Sequence, residues 1–98
     1  MRYNVENEKL TIYFRGELNS SNSEETEKEI DGILSKSQFK SVVLDFEELT
    51  YISSAGLRII LKIKREHDDT KVVNVIDEVF DVFEMVGFNN FLTIEKKA

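Results

Sequence analysis

An α/β fold, with a mixed sheet of four or five strands packed against about three to four helices, follows from three features of the 98-residue sequence. Short alternating or β-branched apolar runs at 10–15, 42–46 and 71–75 have the spacing of strands. Segments with apolar residues at helical spacing lie between and after them. Each connection is long enough for a right-handed crossover between parallel strands. With no internal repeat, linker or low-complexity stretch, residues 1–98 are expected to form a single domain, its core at about 10–94 and a charged tail at 95–98.

Tyr3 and Val5 suit an edge strand, followed by a turn through Glu6, Asn7 and Glu8. Leu10, Ile12 and Phe14 then alternate with Thr11, Tyr13 and Arg15, which gives a strand with one apolar face, and Gly16 ends it. The polar stretch Leu18-Asn19-Ser20-Ser21-Asn22-Ser23 is rich in N-cap residues and leads into a helix at about 23–35. Ile30, Ile33 and Leu34 line its narrow apolar side, and Glu24 and Lys28 form an exposed i,i+4 pair worth only ~0.2–0.5 kcal/mol. This helix reads as scaffold.

Val42 to Phe46 is an interior strand, and Glu47 and Glu48 after it read as a solvated turn. Leu57, Ile60 and Leu61, widened by Ile59 and Ile63, place a second helix from the Ser53-Ser54 pair to about Arg65 or Glu66, with His67 at the surface beyond it. Its first half carries more apolar surface than one face requires. Part of Leu57, Ile59 or Ile60 is therefore expected beside Ser54 as an exposed patch suited to protein binding, full cover by neighbouring helices being the alternative. Lys71 to Val75 is a further strand, interrupted at Asn74. Asp77 is placed to cap a short helix with Val79, Phe80, Phe83 and Val86 facing inwards, Gly87 stops it, and 91–94 closes the sheet.

A formal charge of −6 argues against general affinity for nucleic acid, whose phosphates need a basic surface, and permits a basic protein partner. With no Cys there is no disulfide framework, thiolate nucleophile or Cys-based metal site. No run approaches the ~20 apolar residues that cross a bilayer, and the first residues lack the apolar segment of a signal peptide. Those features lead to the expectation of a cytoplasmic protein without membrane insertion. Neither a Gly-rich phosphate loop nor any other motif calls for a cofactor.

Two serines thus stand where a strand hands over to a helix. Ser53 or Ser54 at N-cap accepts a hydrogen bond from one of the first backbone N–H groups, contributing roughly 1 kcal/mol over alanine. The same amides and the helix dipole can also hold a phosphate placed on a serine hydroxyl. Small residues at 55 and 56 leave room for either, and for another protein's backbone to approach. Asp45, near the carboxyl end of its strand, is a turn carboxylate or a support for this loop.

Residues Asp45 to Arg58, with Ile52-Ser53-Ser54-Ala55-Gly56-Leu57 at their centre, resemble the switch motif of the STAS domain family, whose founding members are bacterial anti-sigma factor antagonists. The wider resemblance runs from about Leu10 to Ile94 and includes Arg15-Gly16-Glu17-Leu18-Asn19 and Val86-Gly87-Phe88. It implies a STAS-like fold, no catalytic residues, and phosphorylation of a switch serine, here Ser54, by an anti-sigma factor with serine kinase activity. A serine phosphatase is a further candidate partner. Family members often carry Asp immediately before that serine, where this chain has Ser53, so Ser53 is the alternative phosphorylation site. The partner-binding surface expected from the motif comprises Asp45, Thr50, Tyr51, Ser53, Ser54, Ala55, Gly56, Leu57 and Arg58. Modification would release the anti-sigma factor; the unmodified form would sequester it and free a sigma factor.

An enzymatic reading is weaker. Ser54 as a nucleophile needs a base, and the one His, His67, lies at the far end of the same helix, roughly 15–20 Å away. A non-phosphorylated scaffold in a stress-signalling or transporter-associated complex is the other alternative. Homodimerisation through the exposed first strand or through spare apolar surface stays open.

Overall fold

The computed structural model describes all residues 1–98. Strands β1 (Arg2–Glu6), β2 (Lys9–Leu18), β3 (Ser41–Ile52), β4 (Thr70–Val75) and β5 (Thr93–Lys96) form one five-stranded sheet in the order β1-β2-β3-β4-β5. Helices α1 (Ser23–Lys36), α2 (Ser54–Glu66) and α3 (Asp77–Met85) connect the later strands, and a short 3-10 turn at Phe88–Asn90 precedes β5. β1 is antiparallel to β2, and the remaining pairs are parallel. The expected mixed α/β fold is therefore present, with five strands and three helices.

Strand order follows chain order, so successive crossovers step the same way and bring all three helices to one face of the sheet. That face holds a cluster of 20 buried residues drawn from β2, β3, β4 and every helix. At its centre the fully buried ring of Phe46 lies 4.9 Å from Phe14, edge to face, and 5.9 Å from Phe83 of α3, stacked. Thr11, Tyr13, Asp45, Lys71 and Val73 line the opposite face and are half-buried. Lys62 of α2 ties α1 to α2 through Glu27 at 3.0 Å and Asp31 at 3.4 Å. The hydrogen bond to Glu27, opposed by partial loss of solvent and supported by the charge of Asp31, holds the Lys62 ammonium above the usual lysine range. A raised lysine pKa contributes fully below the ordinary value and is lost only as pH climbs through the raised one, so this tie is constant around neutrality.

Several boundaries differ from the sequence reading. β2 does not stop at Gly16 but runs through it to Leu18, because Gly16 takes a left-handed φ of 72° and lets the strand bend. β3 likewise continues through Glu47 and Glu48 to Ile52. Between the pairs Tyr13–Asp45 and Arg15–Glu48, and again between Gly16–Leu49 and Glu17–Tyr51, β3 advances one residue more than β2. These two bulges make Phe46, Leu49 and Ile52 face the core at every third residue, so the alternation that marks a strand disappears there. Ile76, not Asp77, is the N-cap of α3, and Asp77 instead pairs with Lys96 at 3.6 Å. Val86 is 48% exposed rather than inward, since the helix ends at Met85 and Gly87 turns the chain with φ 80°. The last strand starts two residues later than expected and takes in Glu95 and Lys96 of the anticipated tail. His67 is half-buried, its ring 5.2 Å from Phe39.

Phe46 links sheet to helices through two ring contacts, so Phe46→Ala is expected to lower unfolding free energy by about 3–5 kcal/mol in urea titration. A loss below about 1 kcal/mol would show that the sheet and α3 are held together elsewhere.

Candidate functional site

The bulged end of β3 delivers the chain to the start of α2 at the carboxyl end of the parallel strands, where open α/β sheets carry their functional loops. Asp45 sets up the bend. Its Oδ1 accepts from the Glu47 N–H at 2.9 Å, and its Oδ2 accepts from Asn74 Nδ2 at 3.1 Å on the neighbouring strand. Asn74 holds a left-handed φ of 58°, a conformation Asn tolerates better than most side chains. Asp45 therefore acts on the site through the backbone, from a half-buried position in the sheet. Farther along, Thr50 Oγ1 donates to the Gly16 carbonyl at 3.1 Å and ties the second bulge to β2.

The two serines divide the available jobs. Ser53 is the N-cap of α2: its Oγ accepts from the Gly56 N–H at 3.2 Å and its carbonyl accepts from Leu57 N–H at 2.9 Å. Its own N–H donates to the Leu18 carbonyl at 2.8 Å. Ser54 is the first helical residue and is exposed, and its hydroxyl takes no part in the cap. Gly56 is buried against the ends of β2 and β3, where a Cβ would stand 2.8 Å from both Ile52 Cγ1 and Leu18 Cγ. Glycine is needed here for the close approach of helix to sheet.

Of the nine residues expected to bind a partner, Thr50, Tyr51, Ser54 and Arg58 are exposed, Asp45, Ser53 and Ala55 are half-buried, and Gly56 and Leu57 are buried. The last two are corrections: Gly56 gives room to Leu18 and Ile52 rather than to another protein, and Leu57 packs inwards at 8% exposure. The expected apolar patch on α2 is absent for the same reason. Ile59 and Ile60 belong to the buried core, and the exposed large side chain nearest to Ser54 in the sequence is instead Tyr51, at 49%.

Two neighbours of this corner were not singled out by the sequence reading. In the loop after β2, Asn19 Oδ1 accepts from the N–H groups of Ser21 and Asn22, at 3.0 and 3.1 Å, while Asn22 Oδ1 accepts from Asn19 N–H at 2.9 Å. The Asn-x-x-Asn spacing is the signal for this closed loop, which stands beside Ser53 through Leu18. Between α1 and α2 lies a groove of about 490 Å³ whose lining includes Ala55, Arg58, Glu24, Glu27 and Arg65. Its charges come from both helices and only the fold brings them together.

The cap assignment has a direct consequence. Ser53→Ala is expected to cost about 1 kcal/mol of stability in urea unfolding, whereas Ser54→Ala should stay within about 0.5 kcal/mol of the parent. Gly56→Ala should cost about 1–3 kcal/mol, since Leu18 and Ile52 must move to admit the methyl group. Equal losses for the two serine variants would contradict the division of roles.

Comparison with known proteins agrees with this geometry. The model of the STAS domain matches residues 2–98. A Bordetella bronchiseptica protein provisionally named anti-sigma factor antagonist BtrV is 38% identical over 83 residues, which is 81% of this chain and 71% of that one. A Thermotoga maritima crystal structure, also provisionally named an anti-sigma factor antagonist, superposes with a TM-score of 0.86 at 19% identity, covering 97% of this chain and 85% of the other. The anti-sigma factor antagonist SpoIIAA superposes in its unphosphorylated form with a TM-score of 0.73 at 22% identity, over 95% of this chain and 87% of that one. The phosphorylated form of SpoIIAA, from Bacillus, gives 0.65 at 21% identity, over 95% and 90%. At these identities the solved structures establish the fold, and the family match establishes the kinship: this chain belongs to the STAS domain family.

Proposed function

We propose that this chain is an anti-sigma factor antagonist: a protein-binding module that sequesters an anti-sigma factor with serine kinase activity and is released when that kinase phosphorylates Ser54. The observation that carries this reading is the separation of the two hydroxyls, Ser53 being held in the helix cap while Ser54 stands exposed at the first helical position. Domains of this family are regulatory and scaffold modules, not catalysts. In keeping with that, His67 lies at the opposite end of α2 from Ser54, and the base that takes the serine proton belongs to the kinase.

The exposed residues suggest how the partner docks. Tyr51 offers an aromatic anchor, Thr50 and Arg58 offer polar contacts, and Ala55 leaves the first turn of α2 low enough for a close interface. Phosphate on Ser54 would add about −1.5 to −2 charges to this corner. The helix dipole and Arg58, one turn further along α2, favour that charge inside the free protein, so the fold persists. In the complex the same charge must be desolvated against the partner, and affinity falls. A phosphatase acting on the exposed phosphoserine would reset the module, and such a cycle would run in the cytoplasm.

Titration calorimetry with the anti-sigma factor kinase tests the proposal. Ser54→Ala should bind as the parent does, Ser54→Glu roughly 10- to 100-fold more weakly, and Tyr51→Ala about tenfold or more weakly. Equal affinity for the parent, the alanine and the glutamate variants would reject the switch.

A further inference from the structure

β1 is the strand in which every residue is exposed, and it forms one edge of the sheet. It carries no proline and no bulge, and its two charged residues, Arg2 and Glu6, stand on the face away from the helices, Arg2 lying over the Tyr13 ring at 4.3 Å. The other edge, β5, is guarded, with Glu95 and Lys96 engaged by Lys71 and Asp77 at 3.6 Å each.

The phase of the free hydrogen-bonding groups on β1 follows from its hairpin. Glu6 and Lys9 flank a two-residue turn, Asn7-Glu8, with φ of 53° and 64°, the signature of a type I′ turn. Residues flanking such a turn exchange both backbone hydrogen bonds, and alternation assigns the same to Asn4–Thr11 and Arg2–Tyr13. The N–H and C=O groups of Tyr3 and Val5 therefore point away from the sheet.

We propose that β1 is a self-association edge, on which two copies of this chain pair antiparallel about Asn4. A two-fold axis through Asn4 and normal to the sheet sets Tyr3 of one copy against Val5 of the other, matching donors to acceptors at both outward residues. The same register places Arg2 opposite Glu6 twice, on the face away from the helices. Tyr3 and Val5, 38% and 41% exposed in the single chain, pair with each other on the helix face. Centring the pair on Tyr3 would set Arg2 against Asn4, and centring it on Val5 would set Asn4 against Glu6; only the Asn4 register satisfies both charges. The product is a continuous sheet of ten strands, five from each copy. β1 pairs with residues 9–13 of β2, whereas Ser53 is tied to Leu18 at the other end of that strand, so the pairing leaves the phosphorylation corner open.

Sedimentation equilibrium across the micromolar to millimolar range tests this, with circular dichroism to verify the fold of each variant. The parent's mean mass should rise with concentration from 11.4 kDa towards twice that value. Arg2→Glu or Glu6→Arg alone should weaken self-association about tenfold, and the double variant Arg2→Glu/Glu6→Arg should restore it, because each reversed charge again meets its opposite. Val5→Pro, which removes an outward donor without touching the β1–β2 bonds, should leave a folded monomer. A parent that is monomeric throughout, association indifferent to Val5→Pro, or a double variant no tighter than the single ones would overturn the proposal.

Discussion

The approach of α2 to the ends of β2 and β3 is the contact on which the functional corner depends. Gly56 has no side chain, so the first turn of the helix settles directly on Leu18 and Ile52. Once it is there, the backbone of Ser53 is within reach of the Leu18 carbonyl and its hydroxyl within reach of the Gly56 amide. Neither hydrogen bond is strong enough to position a helix alone, each being worth about 1 kcal/mol net. The buried side chains of Leu57, Ile59, Ile60 and Ile63 supply the larger driving force for docking α2, and the glycine with its cap decides which way its amino end faces.

That orientation separates two roles that nothing else in a pair of adjacent serines would keep apart. The residue just outside the helix has an extended backbone and turns its hydroxyl back over the first turn; the next residue has helical geometry and turns its hydroxyl away. A phosphate on the Ser54 hydroxyl would leave the cap intact, whereas one on the Ser53 hydroxyl would have to break it. The proposal of Ser54 as the regulated position rests on this local backbone geometry. Upstream, Asp45 with Asn74 and Thr50 with Gly16 hold the two bulges that bring β3 to this point, so the corner is braced from the sheet as well as from the helix.

Much of the architecture was legible in the chain. Alternation in β2, the apolar run of β3, the helical spacing after Ser54 and the stop at Gly87 each arise from local geometry that side chains report directly. The far half of β3 was hidden because two extra residues convert a period of two into a period of three, and Phe46, Leu49 and Ile52 then look like nothing regular. Leu57, Ile59 and Ile60 suggested a surface patch, since the sequence cannot tell that a sequentially ordered sheet puts every helix on one side and buries a wide apolar face. Asn74 read as an interruption; its left-handed backbone and its bond to Asp45, 29 positions earlier in the chain, appear only when the strands are side by side. The Ser53-Ser54 pair stood out at the strand-to-helix junction and the family resemblance pointed to Ser54, but which hydroxyl closes the helix appears only in the structure.

Site-resolved mass spectrometry of the protein after incubation with ATP and the proposed partner, an anti-sigma factor kinase, bears most directly on that choice. The division of roles between the two serines requires phosphate on Ser54, with Ser53 unmodified. Phosphate on Ser53, or on both residues equally, would contradict it, because the hydroxyl that closes the helix would then be the one the kinase can reach.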